Sequence, residues 1–107
     1  MVIELDDDDF SSKAGKGLFL VDFWAPWCIP CQKMGPVFHE LEDEFRNKLK
    51  FAKFNIEDNE ETQKRYDVMG IPCLLLLKDG EEAGRIVGFM EKELLRKKIA
   101  ELLKKAR

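Results

Sequence analysis

Leu18-Phe19-Leu20-Val21-Asp22-Phe23-Trp24, continuing into Ala25-Pro26-Trp27-Cys28-Ile29-Pro30-Cys31, is the stretch on which the fold turns. Side chains alternate along a strand, so Leu18, Leu20, Asp22 and Trp24 share one face and Phe19, Val21 and Phe23 the other. Both faces are apolar, as expected of a strand in the middle of a sheet covered by helices on each side. From Cys28 onward the period becomes helical. Met34, Val37, Phe38, Leu41 and Phe45 fall on a single stripe. Pro36 lies inside that stripe and should kink the helix. A strand that turns through a short loop into a helix carrying a C-x-x-C pair is the unit around which the remainder is arranged.

Upstream, Val2–Leu5 reads as a short strand, and Asp8 or Asp9 as the cap of a helix reaching about Lys13. Downstream, Phe51–Ile56 returns to strand character and Glu60–Tyr66 makes a short helix. After Gly70-Ile71-Pro72 comes the buried strand Cys73–Leu77. Asp79-Gly80 between extended runs signals a tight hairpin, which makes Ala83–Val87 antiparallel to it. Glu91–Lys105 closes the chain as an amphipathic helix, and Leu95, Ile99, Leu102, Leu103 and Ala106 form one face. The order β-α-β-α-β-α-β-β-α implies an α/β architecture, a central mixed sheet between two helical layers.

The chain has 107 residues, so a single domain spanning 1–107 is expected. Hydrophobic residues make up 45% of it, which excludes a disordered or collagen-like chain. No apolar run approaches the ~20 residues of a membrane-spanning helix, so no membrane partner is expected. The formal charge is −3, and the basic residues near the C-terminus alternate with Glu101 and leucines, so no nucleic-acid partner is expected either. Met1–Asp6 contains neither a basic region nor an apolar stretch, so no signal peptide is read and the cytoplasm is the expected compartment. Three cysteines are too few and too odd in number for a secreted disulfide scaffold.

Cys28 and Cys31 are three apart at a helix start and therefore share a face. Their Cα separation should fall in the range a disulfide needs. Cys28 also meets the unpaired N–H groups and partial positive charge of the helix N-terminus, which favour a thiolate. Lowering a thiol pKa from ~8.5 to ~7 raises the thiolate fraction about sixteen-fold at pH 7. Lost nucleophilicity takes back about five-fold of it. Orienting a second thiol beside the first reaches effective molarities of ~10⁵ M and above. The pair is thus the chemical device, and pKa tuning refines it. Asp22 is the second unusual residue. Enclosed on a strand beside the cysteine loop, its carboxyl should titrate above the usual range and could accept the proton of the second thiol.

Together with Met34, Pro36, Lys53-Phe54-Asn55-Ile56, Gly70-Ile71-Pro72, Lys78-Asp79-Gly80 and Val87-Gly88, these segments resemble the thioredoxin family along nearly the whole chain. The resemblance implies a thioredoxin fold and a protein disulfide reductase. It makes Cys28 the exposed attacking thiol and Cys31 the recessed resolving one, with Asp22 near Cys31 and Lys53 as its neighbour. It places a cis peptide before Pro72 and implies a client groove lined by Trp27, Ile29, Pro30, Ile71, Pro72 and Gly88, with Phe89 adjoining. It implies no cofactor beyond the Cys28–Cys31 disulfide. The partners would be disulfide-containing client proteins and a thioredoxin reductase-type electron donor. The chain is expected to be a monomer. Two positions depart from the family: Ile29 stands where Gly is usual, which bears on the reduction potential, and Cys73 where Thr is usual, read as a buried core residue.

His39, the only histidine, falls on the polar side of the second helix with Glu40 and Asp43 and reads as an exposed bystander. A metal site of Cys28, Cys31, Cys73 and His39 would need a second paired-ligand motif, and the chain has none, so no metal is expected. The remaining rival is a thioredoxin-like interaction or chaperone subunit with incidental thiols. Its expectation conflicts with the simultaneous presence of both cysteines, Asp22 and Pro72.

Overall fold

Hydrophobic alternation and turn chemistry are realised as nine elements in the computed structural model, which describes residues 1–106. They are β1 (Ile3–Leu5), α1 (Phe10–Ala14), β2 (Leu18–Trp24), α2 (Ile29–Phe45), β3 (Lys50–Asn55), α3 (Glu60–Arg65), β4 (Cys73–Lys78), β5 (Glu81–Val87) and α4 (Lys92–Ala106). The sheet order is β1-β3-β2-β4-β5. β1, β3 and β2 run parallel, while β4 is antiparallel to β2 and β5 to β4. This is the mixed α/β sheet of the thioredoxin fold, and the doubly apolar β2 lies at its centre.

The two faces of β2 found two cores. Phe19, Val21 and Phe23 pack with Phe10 and Ala14 of α1, with Phe54, and with Tyr66 and Val68 beyond α3. Leu20 packs on the other side with Met34, Phe38, Leu41 and Phe45 of α2 and Leu95, Ile99 and Leu103 of α4. The helical stripe read from the sequence is therefore the face α2 buries, and α2 runs through Pro36 to Phe45 without ending. Asp22 projects toward the α2 side because it is in phase with Leu20.

Asp79 and Gly80 both adopt positive φ, 52° and 83°, as a two-residue hairpin turn requires. The turn is tighter than the sequence implied, and β5 begins at Glu81 rather than Ala83. Three long-range hydrogen bonds help to hold this scaffold together at its edges. The Asp7 carboxylate accepts the Thr62 N–H at 2.9 Å and the Glu61 N–H at 3.2 Å, satisfying the opening turn of α3. The Tyr66 hydroxyl donates to the Gly80 carbonyl at 2.6 Å, tying the end of α3 to the hairpin. Tyr66→Phe keeps the ring and strands that carbonyl, so urea unfolding should show a loss of about 1 kcal/mol. A loss below about 0.3 kcal/mol would mean that solvent replaces the bond in full.

Candidate active site

β2 ends at Trp24, and Ala25-Pro26-Trp27 turns the chain into α2. The turn closes with the Cys28 N–H donating to the Ala25 carbonyl at 3.1 Å, and the Gln32 side chain braces it by donating to the Pro26 carbonyl at 2.6 Å. Cys28 is the N-cap of α2, with extended backbone, and its sulfur accepts the Cys31 N–H at 3.3 Å. Cys28 and Cys31 are joined as a disulfide, with Cα atoms 5.2 Å apart. Spacing at the first turn thus does what geometry requires: the bond can open and close without moving the backbone. A thiolate at Cys28 would meet the unpaired amides of the first turn.

Cys28 is 7% exposed and Cys31 2%. Cys28 is accordingly less open than the resemblance implied, although it remains the more exposed of the two. Both sulfurs sit in a small apolar nest with Ala25, against which Trp24, Ile56 and Ile71 pack. The sequence placed Ile56 at the end of a strand and in a segment shared with the family, but not beside the cysteines. It arrives because β3 pairs in parallel with β2 and the Ile56 N–H donates to the Trp24 carbonyl at 2.9 Å.

Asp22 is 1% exposed, and its Oδ1 finds no hydrogen-bond partner among the described residues. Burial pushes its carboxyl up to about 7, and the positive charge of Lys53 only partly opposes this. Lys53 stands directly across from Asp22 in the β2–β3 register and is half-buried. Its ammonium lies 4.5 Å from the centroid of the Trp24 ring. No ion pair within 4 Å joins it to Asp22 among the described residues, so the two interact through the field rather than by contact. Asp22 opens into a cleft of about 350 Å³ that also takes in Trp24, Cys31, Gln32, Gly35, Pro36, His39 and Lys53.

On the other side of the cysteines, the Ile71–Pro72 peptide is cis, and the Pro72 carbonyl accepts the Gly88 N–H at 2.8 Å. Trp27 and Ile29 are 65% and 64% exposed, and Phe89 is exposed at the same end of the sheet. Pro30 is exposed, Ile71 and Gly88 are half-buried, and Pro72 is buried. Cys73 is fully buried in the core on the opposite face of the sheet, and burial raises its thiol further from ionisation. Among the described residues, no three His, Cys, Asp or Glu side chains converge to hold a metal. None of the described helices is long and apolar enough to cross a membrane.

A family model described as Thioredoxin matches residues 1–101. The thioredoxin of Bacillus subtilis is 47% identical over 94 residues, covering 88% of this chain and 90% of that protein. Thioredoxins of Staphylococcus epidermidis and Staphylococcus aureus are 43% and 42% identical over the same coverage.

Proposed function

Since the chain belongs to the thioredoxin family and is thereby a thiol–disulfide oxidoreductase that reduces protein disulfides, we propose that Cys28 is its attacking sulfur and Cys31 its resolving one. Asp22 takes the proton from Cys31. The observation that carries this assignment is the Cys28–Cys31 bond at the opening of α2, with the less exposed sulfur on the side of a buried, unpartnered carboxylate.

The cycle balances as two exchanges. Cys28 thiolate attacks one sulfur of the client disulfide, forming a mixed disulfide and releasing the other client sulfur as a thiolate that takes up a proton. Cys31 gives its proton to Asp22 and attacks Cys28, so the Cys28–Cys31 bond forms as the client sulfur departs. The client has gained two electrons and this chain has lost two. A reductase supplies them back, and no cofactor is needed on this chain. Lys53 keeps Asp22 from rising so far that it would hold the proton permanently.

Trp27, Ile29, Pro30, Ile71, Pro72 and Gly88 form the client groove, with Phe89 at its margin. Their mixture of exposed apolar surface and half-buried backbone suits an extended segment around a client cystine. The chain acts as a monomer in the cytoplasm, in keeping with a disulfide that cycles rather than staples.

With dithiothreitol as electron source, micromolar protein should accelerate insulin reduction well beyond dithiothreitol alone. An unaccelerated reaction would favour the interaction-subunit reading instead. Within the groove, Trp27→Ala should raise KM for insulin about ten-fold, as expected for loss of an exposed aromatic anchor. Reduction of a small aromatic disulfide should stay within about two-fold of wild type, because the sulfurs themselves are untouched. Equal losses on both substrates would remove Trp27 from client binding.

A further inference from the structure

The Asp22 cleft contains a group that the cycle above leaves unused. His39 is exposed on α2, eight residues beyond Cys31. At ~1.5 Å per residue this places it ~12 Å further along the helix. That distance rules out contact with the sulfurs, and sequence spacing alone makes His39 a bystander. Yet His39 and Asp22 line the same cleft, Asp22 buried and His39 exposed.

A proton taken from Cys31 by Asp22 has to leave a carboxyl that is almost wholly enclosed. The cleft is its opening on the α2 side, and at ~30 Å³ per water it is roomy enough for a short chain of them. The other polar groups along the cleft are poor carriers. Gln32 does not titrate, and its amide is engaged with the Pro26 carbonyl. A lysine ammonium already holds all its protons near neutrality. Imidazole is the side chain that both accepts and releases a proton between pH 5 and 8.

The charged groups around this path are few. β3 contributes Lys53, and α2 contributes Cys31 and His39. β4 presents Leu74 across from Asp22, with the Cys73 thiol on the opposite face of the sheet. The nearby carboxylates on α2 have partners of their own: Glu40 pairs with Lys92 at 3.1 Å, and Asp43 pairs with Arg46.

We propose that His39 relays the proton of Asp22 between the cleft and bulk water. The reading rests on Asp22 being the acceptor in the resolving step. After Cys31 has given its proton to Asp22, the carboxylic acid passes it through the cleft to neutral His39, and the imidazolium releases it to solvent. Asp22 is left ionised, no bond other than O–H and N–H changes, and no electrons move. When the disulfide is reduced again, the same path runs backward. His39 acts through Asp22 and is a relay residue, not a catalytic one.

The test is the single-turnover rate at which the Cys28–client mixed disulfide resolves, measured from pH 6 to 9 in about 1 mM buffer. His39→Gln should slow it at least about three-fold at pH 7. Added imidazole at tens of millimolar should restore most of the loss in His39→Gln and leave wild type unchanged. A His39→Gln rate within experimental error of wild type across the range overturns the relay. So does a slowed rate that imidazole fails to restore, since that marks a structural effect. Asp22→Asn, run alongside, separates the two readings. If Asp22→Asn resolves as fast as wild type, the acceptor assignment fails and the relay fails with it. If Asp22→Asn is slow and His39→Gln is normal, the relay alone fails.

Discussion

Cys28→Ser is expected to reduce insulin turnover by about 10³-fold or more, to the level of dithiothreitol alone. A serine hydroxyl at the N-cap of α2 would still be capped by the same amides, so the helix start should survive. What is lost is the sulfur that opens the client bond. Cys31→Ser should behave differently. Cys28 would still attack, but no partner 5.2 Å away in Cα distance would expel the client. The mixed disulfide should accumulate and be visible as a covalent adduct on a non-reducing gel, collapsing with dithiothreitol. The asymmetry follows from exposure: Cys28 is 7% exposed and Cys31 2%, and it is Cys31 that lines the cleft into which Asp22 opens. Equal residual turnover in the two single variants, with no adduct in either, would contradict the assigned order of attack.

The second large effect is on stability. Asp22 titrates near 3.8 in an unfolded chain, and burial pushes it to about 7 in the native one. Between those values the native state holds a proton that the unfolded state has released. Stability therefore falls as pH rises through this window, and the full cost is present above about pH 7. The gap of about three pH units corresponds to about 4 kcal/mol. Asn is close to an isostere of the protonated carboxyl and carries no charge at any pH. Asp22→Asn should match the wild-type stability near pH 4 and exceed it by about 4 kcal/mol at pH 9. Urea unfolding of the oxidised proteins at a series of pH values reads this directly. A difference that stays constant from pH 4 to 9 would mean that Asp22 is not titrating in the window. The same variant should resolve the mixed disulfide ~10²-fold more slowly, so that stability and function move in opposite directions at one residue.

Local features carried much of the molecule. The 3.6-residue stripe of Met34, Phe38, Leu41 and Phe45 is the buried face of α2, because helix geometry alone puts those side chains together. Asp79-Gly80 forms the hairpin, because positive φ at both positions is cheap for those residues and matches strand twist. The Cys28–Cys31 pairing follows from one helical turn, and the burial of Asp22 from its phase with Leu20 on a strand apolar on both sides. Boundaries were less legible. β5 starts two residues early because the turn needs only Asp79 and Gly80, and sequence character cannot say where pairing begins.

What the amino-acid order could not reveal lies between elements distant along the chain. Ile56 reaches the cysteine nest only through the β2–β3 register, and that register also sets Lys53 beside Asp22. Alternation alone does not place Lys53, because a half-buried lysine can lay its stem on apolar surface while its charge stays in the field of a neighbour, here over Trp24. His39 looked idle because periodicity describes one helix at a time, whereas a cleft is bounded by several. Residue chemistry and local periodicity therefore determined the fold class and the redox pair. Packing of β3 and α2 around the end of β2 decided which charges share a low-dielectric space, because electrostatic neighbours are set by distance in space rather than along the chain.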